Sequence, residues 1–109
     1  MNLRLSAKEI RFRVSTAEVE KLVETSTLSE VISLAPSHCV AITVCLSENF
    51  SFSSTNSEFK LNIPLAAVQE AASGKSKSEM HWTGIWSTEV SEMYVIFEVD
   101  AFSKKMASA

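Results

Sequence analysis

The sequence predicts an α+β domain in which a ββαββ order occurs twice, giving eight strands and two helices. Three observations carry that reading. Several short runs alternate apolar with polar residues, the period of half-buried strands. Two of those runs pass directly into segments with the apolar spacing of a helix. The segments EIRFRVSTAEVEKL and EFKLNIPLAAVQEA set strand, helix start and helix stripe in the same order, about half the chain apart.

In the first half, Leu3 and Leu5 alternate with Asn2 and Arg4, and Ile10, Phe12 and Val14 with Arg11 and Arg13, which makes a hairpin turning near Ala7-Lys8. Ser15 with Glu18 has the spacing of a capping box, in which each side chain accepts from the other residue's backbone N–H. A helix therefore starts there and runs to about Thr25, with Val14 and Val19 placed as a hydrophobic staple and Val19, Leu22 and Val23 as its apolar stripe. Leu28, Ile32 and Leu34 give a third strand that Pro36 stops. Cys39 to Leu46 is a fourth, uncharged on both faces and so a candidate central strand.

In the second half, Phe50 and Phe52, then Phe59, Leu61 and Ile63, give a hairpin across Ser54-Thr55-Asn56-Ser57. Pro64 suits the first turn of a helix and Gly74 the left-handed residue that ends one, with Leu65, Val68 and Ala72 as the stripe between. Met80 to Trp86 and Met93 to Val99 close the pattern. Residues 1–102 are expected to form one domain and residues 103–109 a frayed tail. The two ββαββ units are a candidate internal repeat. They are expected to form a mainly antiparallel eight-stranded barrel, two sheets with the helices plugging the ends, or an open antiparallel sheet with both helices on one face.

At 109 residues, 46% hydrophobic and 21% charged, the chain has ordinary globular composition. A net charge of −3 argues against a dedicated nucleic-acid binder, whose phosphate contacts show as a basic excess. No apolar run approaches the roughly 20 residues of a membrane span, and the alternating start is unlike a signal peptide, so a cytoplasmic location is expected. Cys39 and Cys45 on one strand would stand about 20 Å apart, out of disulfide reach, and are expected to be free thiols buried as small hydrophobes.

MNLRLSAKEIRFRVSTAEVEKLVET resembles the opening of a family of small bacterial proteins of unknown function, which begin with an LRxR-like strand, an LRLRL-like strand and a helix starting SEV or AEV. The likeness continues loosely through FKLNIPLAAVQEA to VIFEVDAF. Arg4, Arg11 and Arg13 match the opening pattern and Glu98 and Asp100 the acidic close. Ala7-Lys8 stands where the family usually has Gly-Asn, and Ala101 follows Asp100 where an aromatic is usual, with Phe102 one residue later. The resemblance implies a shared fold and brings no activity with it.

No catalytic residue, cofactor or metal set is assigned from the residues. His38 and Cys39 are adjacent and point to opposite faces of a strand, unlike paired zinc ligands, and nothing beside Cys39 or Cys45 would activate a thiol. In HWTGIW, Met80, Trp82, Gly84 and Trp86 share one face and His81, Thr83 and Ile85 the other. Trp82, Trp86 and His81 are therefore pocket candidates, set against plain core packing of the tryptophans and a solvent-facing His81. Arg4, Arg11 and Arg13 on the outer face of the first hairpin are candidates for binding an anion or an acidic partner, set against pairing with Glu98 and Asp100 of the last strand. The leading expectation is a non-enzymatic binding or protein-interaction module whose partner is a second copy of the chain or an acidic protein. The alternative is a small enzyme or ligand carrier with a pocket near Trp82 and Trp86.

Overall fold

Alternation and capping become ten elements in the computed structural model, which describes residues 1–75 and 79–100 apart from the side chain of Leu34. They are β1 (Asn2–Leu5), β2 (Glu9–Ser15), α1 (Thr16–Thr25), β3 (Thr27–Ala35), β4 (His38–Leu46), β5 (Ser51–Ser54), β6 (Glu58–Ile63), α2 (Leu65–Ala72), β7 (His81–Ser87) and β8 (Glu92–Asp100). The expected tail at 103–109, Ala101 and Phe102 lie outside the described residues.

The strands form two four-stranded sheets, ordered β1-β2-β8-β7 and β3-β4-β6-β5. There is no closed barrel. Nor are the sheets purely antiparallel: the central pairs, β2 with β8 and β4 with β6, are parallel. Each predicted ββαββ unit sends its first hairpin to one sheet and its second to the other, so neither unit builds a sheet alone. The sheets are mainly antiparallel and the two-sheet alternative is the one found: the four antiparallel pairs are the local hairpins, while the parallel partner across each sheet's middle comes from the other half of the chain.

Strand order and register are the same in both sheets. Phe12 stands opposite Leu3 on one side and Phe97 on the other, as Leu61 stands between Phe52 and Val44. Loop contacts match as well: Tyr94 N donates to Lys8 O and Ala41 N to Ser57 O, each at 2.8 Å, and Val99 N reaches Met80 O as Leu46 N reaches Ser26 O. This equivalence is one of topology and register.

Inner faces of the sheets make one core with both helices. Phe12, Phe97, Ile10, Ile42, Val44, Leu61 and Ile63 are fully buried in it, and the Phe12 and Phe52 rings meet edge to face across the sheets at 6.1 Å. The two helices touch each other, α1 also packing on β3 and β4 and α2 on β7 and β8.

The N-terminus of α1 is held as its sequence requires. Ser15 Oγ accepts from Glu18 N at 3.2 Å, Glu18 Oε1 accepts from Ser15 N at 2.9 Å, and Val14 and Val19 are buried. Glu18 Oε2 also takes the Met1 ammonium at 2.8 Å, with Glu30 3.5 Å from the same nitrogen. Burial by itself would raise the Glu18 carboxyl, but the ammonium and the Ser15 hydrogen bonds outweigh it and hold the carboxyl below its ordinary value. Ser26, in the left-handed region at φ 67°, closes the helix with its N–H on Leu22 O.

Helix α2 departs from expectation in three places. Pro64 is its N-cap, one position before the first turn. Gly74 is not left-handed; it is small because a Cβ there would lie 2.6 Å from the Glu79 backbone. The buried stripe is Ala67, Val68 and Ala71, while Leu65 and Ala72 are exposed. Alanines let this helix lie close against α1 and the strands, a preference that hydrophobicity alone does not reveal. The cysteines depart too: Cys39 is exposed and Cys45 half-buried, both free, because the β4 residues that enter the core are Val40, Ile42 and Val44.

Truncation of Phe12 or Phe97 to Ala should cost about 3–5 kcal/mol, read from denaturant midpoints, since each ring is wholly buried at the central parallel pair. Ser15→Ala should cost about 0.5–2 kcal/mol through the lost cap. Glu18→Gln keeps an acceptor for Ser15 N and removes only the charge. Because the folded-state pKa of Glu18 is lowered, its ionic contribution is complete above the unfolded value near 4.5 and is lost as pH falls through the lower folded value. The stability gap between wild type and Glu18→Gln should therefore close on acidification; a gap independent of pH would remove the ionic account.

Candidate functional site

Parallel pairing of β2 with β8 sets Arg13 beside Glu98, Arg11 beside Ile96 and Ser15 beside Asp100 on the outer face of the β1-β2-β8-β7 sheet. Inward residues Ile10, Phe12, Val14, Val95, Phe97 and Val99 fix that parity by their burial. The arginines and the acidic close of the chain are thus neighbours. Arg11 Nη1 donates to Glu98 Oε1 at 2.7 Å, and its Nη2 lies 3.6 Å from Glu9 Oε2. Arg13 Nη2 lies 2.5 Å from Asp100 Oδ2. Its Nε is 3.2 Å from Glu98 Oε2 without hydrogen-bond alignment, an ion contact only.

Glu98 therefore bridges two arginines, and the pairing expected from the outward parity of these residues is present. The pairs differ in depth. Arg13 and Asp100 are largely covered, whereas Arg11 is a third exposed. Arg4 is exposed opposite Arg11, with no ion pair among the described residues.

Further along the same face, Ile96 stands between Arg11 and Thr83, and Tyr94 between Glu9 and Ile85. Ile96 is only 7% exposed although it points outward, while Ile85 and Tyr94 are 53% and 42% exposed. The sheet thus carries an apolar centre rimmed by three arginines and three carboxylates. Parity could have revealed it. Once Val95, Phe97 and Val99 face inward, Tyr94 and Ile96 must face outward beside Ile85.

The pocket candidates separate. Trp82 and Trp86 face inward, where the Phe50 ring meets both edge to face at 5.2 and 6.0 Å. A Cβ on Gly84 would lie 2.6 Å from the Trp82 ring and 2.9 Å from Phe50, so the bare backbone there makes room for aromatic packing. Trp86 also lines a cleft of about 360 Å³ between β5 and β7, with Phe52, Met93, Ser53, Ser54, Thr88 and Ser91. His81 is exposed on the opposite face, in register with Glu98, and does not join the tryptophans. The cleft's β5 wall and its β7–β8 turn escaped sequence reasoning, because isolated serines and one threonine carry no motif.

Cys39 and Cys45 lie on the outer face of the second sheet and His81 on that of the first, so the full thickness of the sandwich divides them. Among the described residues no group of three His, Cys, Asp or Glu side chains comes together to hold a metal ion. No helix is long and apolar enough to cross a membrane.

Arg11→Ala should change stability by only about 0–1 kcal/mol, as partly exposed ion pairs do. Arg13→Ala should cost more, about 1–3 kcal/mol, because it removes a charged donor from beside two largely covered carboxylates. Urea midpoints of the two variants check the order; equal losses would contradict the difference in burial.

No curated protein and no solved structure matches this chain. One family model does, over residues 1–102. The chain belongs to the family of unknown function DUF7009.

Proposed function

We propose that this protein is a cytoplasmic, non-enzymatic interaction module whose partner is a second copy of the same chain, docked through the outer face of the β1-β2-β8-β7 sheet. The observation that carries this reading is the composition of that face. Ile85, Tyr94 and Ile96 form an apolar centre, and Arg4, Arg11 and Arg13 are matched by Glu9, Glu98 and Asp100 around it. Aromatic and arginine side chains are enriched in protein interfaces.

Charge balance favours self-association over an acidic partner. Arg11 and Arg13 are already engaged by carboxylates, which leaves Arg4 as the arginine open to an external anion. A face holding both signs can match itself about a twofold axis, where each protomer presents the same patch. Its size sets the strength. Four strands at about 4.8 Å spacing and seven residues at about 3.3 Å make a footprint of about 440 Å². A stable interface buries roughly 800 Å² per partner, so this dimer is weak and depends on concentration.

Sedimentation equilibrium over a wide concentration range should show reversible dimerisation that the pair Ile85→Lys and Tyr94→Asp abolishes without a change in the unfolding midpoint. A protein that remains monomeric throughout, or a dimer indifferent to both substitutions, would overturn the proposal. Binding to an acidic polypeptide that Arg4→Ala removes, with no dimer, would replace it with the acidic-partner reading.

A further inference from the structure

The matched registers of the two sheets supply a comparison inside one molecule. Two clefts occupy equivalent places at opposite sides of the sandwich, one between β1 and β3, the other between β5 and β7. In the first, Leu3, Leu5, Ile32, Val40, Ile42 and Phe59 leave about 160 Å³. In the second, Phe52 stands where Leu3 does, Trp86 where Ile32 does and Met93 where Val40 does. Ser54 takes the place of Leu5, and the space is about 360 Å³.

The fold therefore tolerates an apolar side chain at this position: Leu5 lines the mouth of the smaller cleft while remaining 61% exposed. Among the equivalent lining positions, Ser54 is the one where the larger cleft carries the smaller side chain. The Ser54 and Ser91 hydroxyls make no hydrogen bond with the described residues, whereas Ser53 alternates to the other face of β5 and Thr88 Oγ1 is spent on the β7–β8 turn, donating to Ser91 O at 3.1 Å and accepting from Val90 N and Ser91 N. An indole, a phenyl ring and a thioether thus form one wall and unspent hydroxyls the rim. Ligand sites pair an apolar lining with a few convergent polar groups in this way, and their volumes begin near 300 Å³.

We propose that this cleft binds a small neutral ligand with a flat apolar face and hydrogen-bonding groups at its edge. Its lining carries no charge, so it offers no counter-ion to an anion. The titratable residues of the adjoining turn and strand start, Glu89 and Glu92, are acidic and oppose one further. Hydroxyls both donate and accept, which suits an amide or a phenol. The site lies away from the outer sheet face and stands whether or not the protein dimerises.

The test is an NMR titration of the full chain with 4-hydroxybenzamide, and with 4-hydroxybenzoate as the anionic counterpart. The Trp86 indole N–H should shift and saturate, with neighbouring amides of β5 and the β7–β8 turn, and the benzoate should bind more weakly. Ser54→Leu copies the residue at the equivalent position and should weaken the amide at least about tenfold with the unfolding midpoint unchanged. Leu5→Ser should leave binding as it was. Should Ser54→Leu fail to fold, Ser91→Phe on the exposed turn closes the cleft from its other end with the same expected loss. Absence of saturation by about 10 mM, equal affinity in the occluded variants, or benzoate binding as tightly as the amide overturns the proposal. So does a response centred on Leu3 and Ile32.

Discussion

The parallel pairing of β2 with β8 is the contact on which the rest of this molecule depends. It joins the second strand of the chain to the last described one and sets Phe12 against Phe97 in the core. On the opposite side of the same ladder it lines up Arg13 with Glu98, so core and surface chemistry follow from one register. A slip by one residue would turn the phenylalanines to solvent and the ion network into the core. Burial of the inner set therefore fixes the outer one, and the ion pairs need contribute little to specify it.

The equivalent pair β4 with β6 does the same for the second sheet without charges on β4. Its outer face carries Cys39, Ala41, Thr43 and Cys45, with Ser29 within hydrogen-bond distance of Thr43 and Thr43 donating to Glu58 at 3.0 Å. The two outer surfaces thus differ: one holds arginines, carboxylates, a tyrosine and isoleucines, the other mostly small hydroxyls, thiols and alanine. Interaction energy is concentrated by aromatic and arginine side chains, which is why the proposed dimer is placed on the first surface.

A shared register with unlike side chains also explains why two equivalent clefts have different characters. Positions that hold leucine and isoleucine on one side hold serine and tryptophan on the other. Trp86 is steadied by Phe50, which packs against Trp82 as well, so the aromatic wall of the larger cleft belongs partly to the core. A wall set by packing keeps its shape, and the cost of ordering it is met during folding rather than on binding.

By itself the sequence determined the local structure. Alternation placed all eight strands, Ser15 and Glu18 placed the start of α1, and inward parity put Phe12, Val14, Phe97 and Val99 in the core and the arginines outside. These are properties of the 2.0 and 3.6 residue periods and of hydrogen bonds spanning three residues, so they can be read from neighbours along the chain. Tertiary structure alone decided that two mixed sheets form, among the alternatives the strands left open, that Cys39 is exposed, that α2 buries its alanines instead of Leu65, and that Ser54 and Ser91 meet around a cleft. Each of these depends on which distant segment lies alongside. Cross-sheet pairing is a contact between residues up to 87 apart, as Arg11 and Glu98 are, and no local pattern encodes it.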